Sequence, residues 1–198
     1  MVVFGITGGS GSGKTSVSKM LEKMGVHIID TDVIAHEIVE PNSECLNELV
    51  DYFGDSILND DKTLNRKKLA SIAFSDKQKT VALSNITHKY IRAEVVKDIN
   101  TTDAELVGID GAVIIGSNVE PLCEFIVSVI ADKQIRITRI KTRDNITDEQ
   151  AIQRINAQND DEFYKENSMY IIYNNGDIAQ LESDVVGLFN KIKGNSFE

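Results

Sequence analysis

The run Gly8-Gly9-Ser10-Gly11-Ser12-Gly13-Lys14-Thr15 limits what this chain can fold into more than any other feature. It fits the pattern G-x-x-x-x-G-K-[ST], which has meaning only between a strand and a helix. Both flanks are present. Val2-Val3-Phe4-Gly5-Ile6 reads as a short buried strand, and Ser16 to Met24 as a helix with Val17, Met20, Leu21 and Met24 on one face. Glycines free the backbone N–H groups of such a loop to wrap a polyphosphate, and the helix N-terminus adds its positive dipole end. The loop residues Gly9, Ser10, Gly11, Ser12 and Gly13 are therefore expected to bind a nucleoside triphosphate. Lys14 would reach the β- and γ-phosphates, and the Thr15 hydroxyl would hold Mg²⁺. The loop by itself does not separate a kinase from an ATPase or a regulator. A GTPase is disfavoured, because no guanine-reading Asn-Lys-x-Asp run occurs.

After the first helix, Gly25 reads as a stop and Val26–Asp30 as a second strand. Leu106–Asp110, Phe125–Ile130 and Met169–Tyr173 read as three more. Helical patterns lie between them. Five strands alternating with helices imply an α/β fold, a parallel sheet covered on both faces. The block from about residue 33 to 100 has no convincing central strand and reads as a helical insertion. Thr147-Asp148-Glu149-Gln150 is a capping box opening a late helix, and Asp177 can cap the last one.

At 198 residues the chain suits one such domain. Its formal charge of −10 disfavours nucleic acid and anionic membranes as partners, so a site for an anionic substrate must gather its basic residues locally. Arg136, Arg139 and Arg143, at i, i+3 and i+7, share one helix face and form such a concentration. That face either closes over a triphosphate or is simply solvated. Two distant cysteines, Cys45 and Cys123, form no metal pattern. No signal segment precedes the first strand and no apolar run approaches roughly 20 residues, so a cytoplasmic location is expected.

Asp32 is the strongest catalytic candidate beyond the loop. A carboxylate at the end of a strand beside the phosphate-binding one can accept a hydroxyl proton during phosphoryl transfer. Alternatively, Asp30 and Asp32 both cap the helix that follows. Asp110, ending its own strand, is either a residue for Mg²⁺-bound water or a turn residue. His88 reads from its setting as structural.

These residues, taken in order, resemble the dephospho-coenzyme A kinase family. The resemblance runs through the loop, Asp30-Thr31-Asp32, Phe53-Gly54, Leu64-Asn65-Arg66-Lys67-Lys68-Leu69, Ile86-Thr87-His88, Arg139, Arg143, Arg154-Ile155 with Gln158, and Asn174 with Gly176. It implies a phosphate-loop, three-layer α/β/α kinase of one domain, with an acceptor-binding helical insertion and an arginine-bearing lid at about 133–160. It also implies an ATP- and Mg²⁺-dependent enzyme that phosphorylates the ribose 3′-hydroxyl of dephospho-coenzyme A, as a monomer or small homo-oligomer. By that resemblance Asp32 is the general base, Lys14, Arg139 and Arg143 are catalytic, and Asn174 lies near the adenine. Arg66 and His88 join Asp32 on the acceptor side, and Thr15 falls on the Mg²⁺ contact, beside the metal role open to Asp110. The sequence departs from the family pattern at His36, Lys89, Gly116 and Met169. A kinase of another small acceptor, such as a nucleoside or nucleotide, is the alternative reading. A nucleotide-binding regulator without catalysis is another.

Overall fold

The computed structural model describes residues 1–194. Five strands, β1 (Val2–Thr7), β2 (His27–Asp30), β3 (Leu106–Asp110), β4 (Phe125–Ile130) and β5 (Tyr170–Tyr173), form one parallel sheet in the order β2-β3-β1-β4-β5. Phe4 is in register with Gly108 on one side and Phe125 on the other, so β1 is central. Helices cover both faces. Along β1 and β4, alternate residues show why. Phe4, Ile6, Phe125, Val127 and Val129 point to one face, into a core completed by Val17 and Leu21 of α1 (Lys14–Lys23). α9 (Ile178–Gly194) contributes Leu181, Val185, Leu188 and Ile192, and Val26, Leu106 and Ile172 join them. The Phe4 and Phe125 rings stack at 5.4 Å. Each fully buried apolar side chain of this size contributes about 1.5–3 kcal/mol. Central strands therefore read as unbroken apolar runs rather than alternating ones.

The chain divides into two compact units: Met1–Ile29 with Thr102–Glu198, and Asp30–Thr101. The first carries the sheet core. The second is helical: α2 (Thr31–Glu37), α3 (Glu44–Phe53), α4 (Arg66–Ala73) and α5 (Lys77–Thr101), with one antiparallel bridge between Leu58 and Leu64. Within it, α2, α3 and α4 each pack on the 25-residue α5. Ile34, Leu46, Leu49, Leu69, Ile86 and Val95 are buried there. Glu48 on α3 accepts hydrogen bonds from Lys89 Nζ (2.6 Å) and Tyr90 Oη (2.7 Å) of α5.

In the sheet unit, α6 (Lys133–Asp144) and α7 (Asp148–Asn156) share a small core of Ile137, Ile140, Ala151 and Ile155. The capping box at Thr147 and Gln150 forms as the sequence predicts, and Asp177 accepts from the Gln180 N–H at the start of α9. A short helix, α8 (Asp161–Glu166), was not legible from periodicity and is capped by Asp160. No described helix is long and apolar enough to cross a membrane.

Candidate active site

The loop between β1 and α1 lies at the carboxyl edge of the sheet, where ligands bind in open parallel sheets. Gly13 caps α1 in the left-handed region (φ 98°, ψ 19°) and offers no side chain to it. The first N–H groups of a helix have no partner inside the helix, so those of α1 remain available to an anion. A Cβ on Gly13 would strike the amide nitrogen of Asn174, which lies just past β5. That residue is only 6% exposed, and its Nδ2 donates to the Ser12 carbonyl at 2.7 Å. Arg139 of α6 donates from Nη1 to the Gly11 and Ser12 carbonyls (both 3.3 Å) and from Nη2 to Asn174 Oδ1 (3.2 Å). Loop carbonyls thus face protein donors.

Lys14 Nζ forms an ion pair with Asp110, the buried carboxylate ending β3. Asp110 is therefore neither a turn residue nor open to solvent: it answers the charge of the loop lysine. The Ser12 hydroxyl is buried and has no hydrogen-bond partner. Among the described residues no three His, Cys, Asp or Glu side chains cluster as a metal cage. Mg²⁺ does not need one, because it keeps several waters and is bound through one or two protein groups plus substrate phosphates. The Thr15 and Asp110 pair fits that manner of binding.

Of the arginine row, Arg139 reaches the loop. Arg143 does not: its exposed side chain forms a bidentate pair with Asp144 (Nε 2.7 Å, Nη2 2.9 Å), which Arg154 also joins. Arg143 donates first among the causes that lower Asp144 to about pKa 2, and Asp144 in turn raises the guanidinium. Arg136 was expected on the triphosphate-facing row and is instead buried under the loop, 4% exposed. Gln158, which the sequence offers only as part of the resemblance, meets the loop as well: its Oε1 accepts the Ser10 N–H at 2.7 Å.

In the helical unit, Asp30 settles the capping question. Its Oδ1 accepts from the N–H of Asp32 (2.8 Å) and of Val33 (3.1 Å), so Asp30 caps α2. The Asp32 carboxylate is exposed in the first turn and is not the cap. Arg66 is exposed at the first position of α4, which Asn65 caps, and His88 is half-buried in α5.

The family model for dephospho-CoA kinase (CoaE) matches residues 2–180. The chain belongs to the dephospho-CoA kinase family. A dephospho-CoA kinase of Lactobacillus johnsonii is 34% identical over 191 residues, covering 95% of this chain and 96% of the relative. One from Listeria monocytogenes is 34% identical over 194 residues, covering 96% and 97%. Among solved structures, dephospho-CoA kinase from Campylobacter jejuni superposes with a TM-score of 0.69 at 26% identity, covering 98% of each chain. TT1252 from Thermus thermophilus gives 0.84 at 25%, covering 96% of this chain and 97% of that one. A shikimate kinase from Acinetobacter baumannii, at 18% identity and 0.56, shares the fold. Family members are kinases that act as transferases.

Proposed function

We propose that this chain transfers the γ-phosphoryl group of ATP to the ribose 3′-hydroxyl of dephospho-CoA, giving CoA and ADP. The observation that carries the reading is the loop itself. Its carbonyls are tied to Arg139 and Asn174, its helix N-terminus is uncapped by any side chain, and it sits in a chain of this family.

In the reaction the 3′-hydroxyl oxygen attacks the γ-phosphorus. The bond from that phosphorus to the β-bridging oxygen breaks and ADP departs. The hydroxyl proton passes to the Asp32 carboxylate, which Asp30 leaves available by taking the cap. Lys14 moves from Asp110 to the β- and γ-phosphates, where it counters the charge that builds on the leaving oxygen. Arg139 keeps the Gly11 and Ser12 carbonyls turned aside and brings a guanidinium to the same loop, while Asn174 borders the adenine. Thr15 and Asp110 are the residues that would hold Mg²⁺, which when bound would help neutralise the negative charge of the phosphates. We assign Arg66 and His88 to the acceptor side, the helical unit to acceptor recognition, and the segment from α6 to α8 to a lid. Arg143 then works from its Asp144 pair rather than at the loop. The protein is placed in the cytoplasm.

The test is ADP formation from Mg-ATP with and without dephospho-CoA, with the product weighed by mass spectrometry. Acceptor-dependent ADP and a product of CoA mass support the reading. Turnover with a nucleoside acceptor only, or ATP binding with no transfer, overturns it.

A further inference from the structure

Arg136 has no part in the reaction just described, yet it is a charged side chain buried to 4% exposure against the loop. Burying a guanidinium is unfavourable unless it is paired and hydrogen-bonded. Here the partners are specific. Nε donates to the Ser10 carbonyl at 2.9 Å, Nη2 to Gln158 Oε1 at 3.4 Å, and Nη1 to Asp161 Oδ1 at 3.3 Å. The same Gln158 Oε1 accepts the Ser10 N–H at 2.7 Å. Both backbone groups of Ser10 are therefore held by one Arg–Gln couple. The guanidinium also lies against the backbone at Gly9, where a Cβ would fall on Nη2 and Cζ. That close approach requires glycine.

A planar trans peptide fixes the direction of one N–H by the direction of the preceding carbonyl, which points the opposite way. With the Ser10 carbonyl drawn to Arg136, the Gly11 N–H is turned away from α6. With the Ser12 carbonyl drawn to Arg139 and Asn174, the Gly13 N–H is turned away as well. Successive N–H groups so turned make an anion-binding concavity.

We propose that Arg136, acting with Gln158, is a positioning residue for phosphate binding: it sets the Ser10–Gly11 peptide so that its N–H faces the anion. Its side chain is too enclosed to touch a ligand, so it acts through the loop backbone. This inference rests on the proposed function only in taking the loop to hold the phosphates of ATP.

The test compares wild type with Arg136→Met, Arg136→Lys and Gln158→Leu. Calorimetric binding of ADP and of inorganic tripolyphosphate is measured, with the ATP KM, kcat and the ligand-free melting temperature. Arg136→Met is expected to weaken ADP and tripolyphosphate at least tenfold and to raise the ATP KM at least tenfold, with kcat within threefold of wild type. Arg136→Lys, keeping one donor for the Ser10 carbonyl, falls between. Gln158→Leu, which leaves the guanidinium in place and guards against an Arg136→Met chain that fails to fold, weakens ADP at least threefold. If the variants lower the melting temperature yet bind ADP and tripolyphosphate as wild type does, Arg136 is merely structural and the inference is wrong. If wild type itself binds neither ligand, the reading of the loop falls, and the inference with it.

Discussion

Replacing Gly13 with alanine tests the loop geometry where two effects can be separated. At φ 98° a Cβ costs about 1–2 kcal/mol in the left-handed region. The same Cβ would meet the amide nitrogen of Asn174, a buried group bonded to the Ser12 carbonyl and to Arg139. Displacing that amide gives up hydrogen bonds that contribute about 0.5–1.5 kcal/mol each. With two such bonds the sum is about 2–5 kcal/mol. For a chain of this size that lowers the melting temperature by about 4–20 °C. Urea unfolding followed by far-ultraviolet circular dichroism gives the free energy, and a parallel thermal scan gives the stabilisation produced by ADP. Gly13→Ala is expected to lose both. Adding Asn174→Ala removes the collision but not the backbone strain, so the double variant shows about 1–3 kcal/mol of coupling between the two sites, the value of the two hydrogen bonds. A Gly13→Ala protein within 0.5 kcal/mol of wild type, with its ADP-induced shift intact, refutes the account (surface changes of no consequence fall in about that range).

Asp32→Asn is expected to lower kcat by about 10²–10⁴-fold, the usual contribution of a positioned base, while ADP binding is unchanged. Equal loss of both in single-turnover and binding assays would remove Asp32 from the proton-transfer role. Asp144 is held at about pKa 2, below its usual 3.8, first by its hydrogen bond from Arg143. Its stabilising effect is therefore fully present above about pH 4 and is lost as pH falls toward 2. The stability gap between wild type and Asp144→Asn should shrink over that interval, and a gap unchanged between pH 6 and 3 contradicts the pairing. Burial pushes the Cys123 thiol to about 12, and burial with the nearby Glu48 charge pushes Cys45 to about 11. Both should react with iodoacetamide at pH 8 at least tenfold more slowly in the folded protein than in urea. Rates equal in the two states count against those environments.

Much of the architecture is written in local pattern. Phe125–Ile130 and Leu106–Asp110 are buried on both faces, so their apolar runs mark the strands without ambiguity. The loop between β1 and α1 follows from glycine spacing. What the pattern does not carry is the destination of long side chains. Arg136, Arg139 and Arg143 share a helical face, yet one goes beneath the loop, one to its carbonyls and one to Asp144. A signal was present for the first. Ile140, one turn beyond Arg136, is fully buried, so the shared stripe leads inward at that end of α6. Likewise the choice between Asp30 and Asp32 as cap turns on which oxygen meets two N–H groups, a matter of backbone geometry rather than residue type. α8 escaped because six residues rich in charge carry too little periodicity.

The Lys14–Asp110 pair has a consequence for discrimination among anions. The loop lysine is already paired with a buried carboxylate. On the proposed function Lys14 must leave that pair to meet a phosphate, so an incoming anion competes with the Asp110 carboxylate for the lysine. The pair thus sets a threshold: an anion would hold the site only by drawing Lys14 more strongly than Asp110 does, which would let a chain of charge −10 keep the loop unspent on stray phosphate.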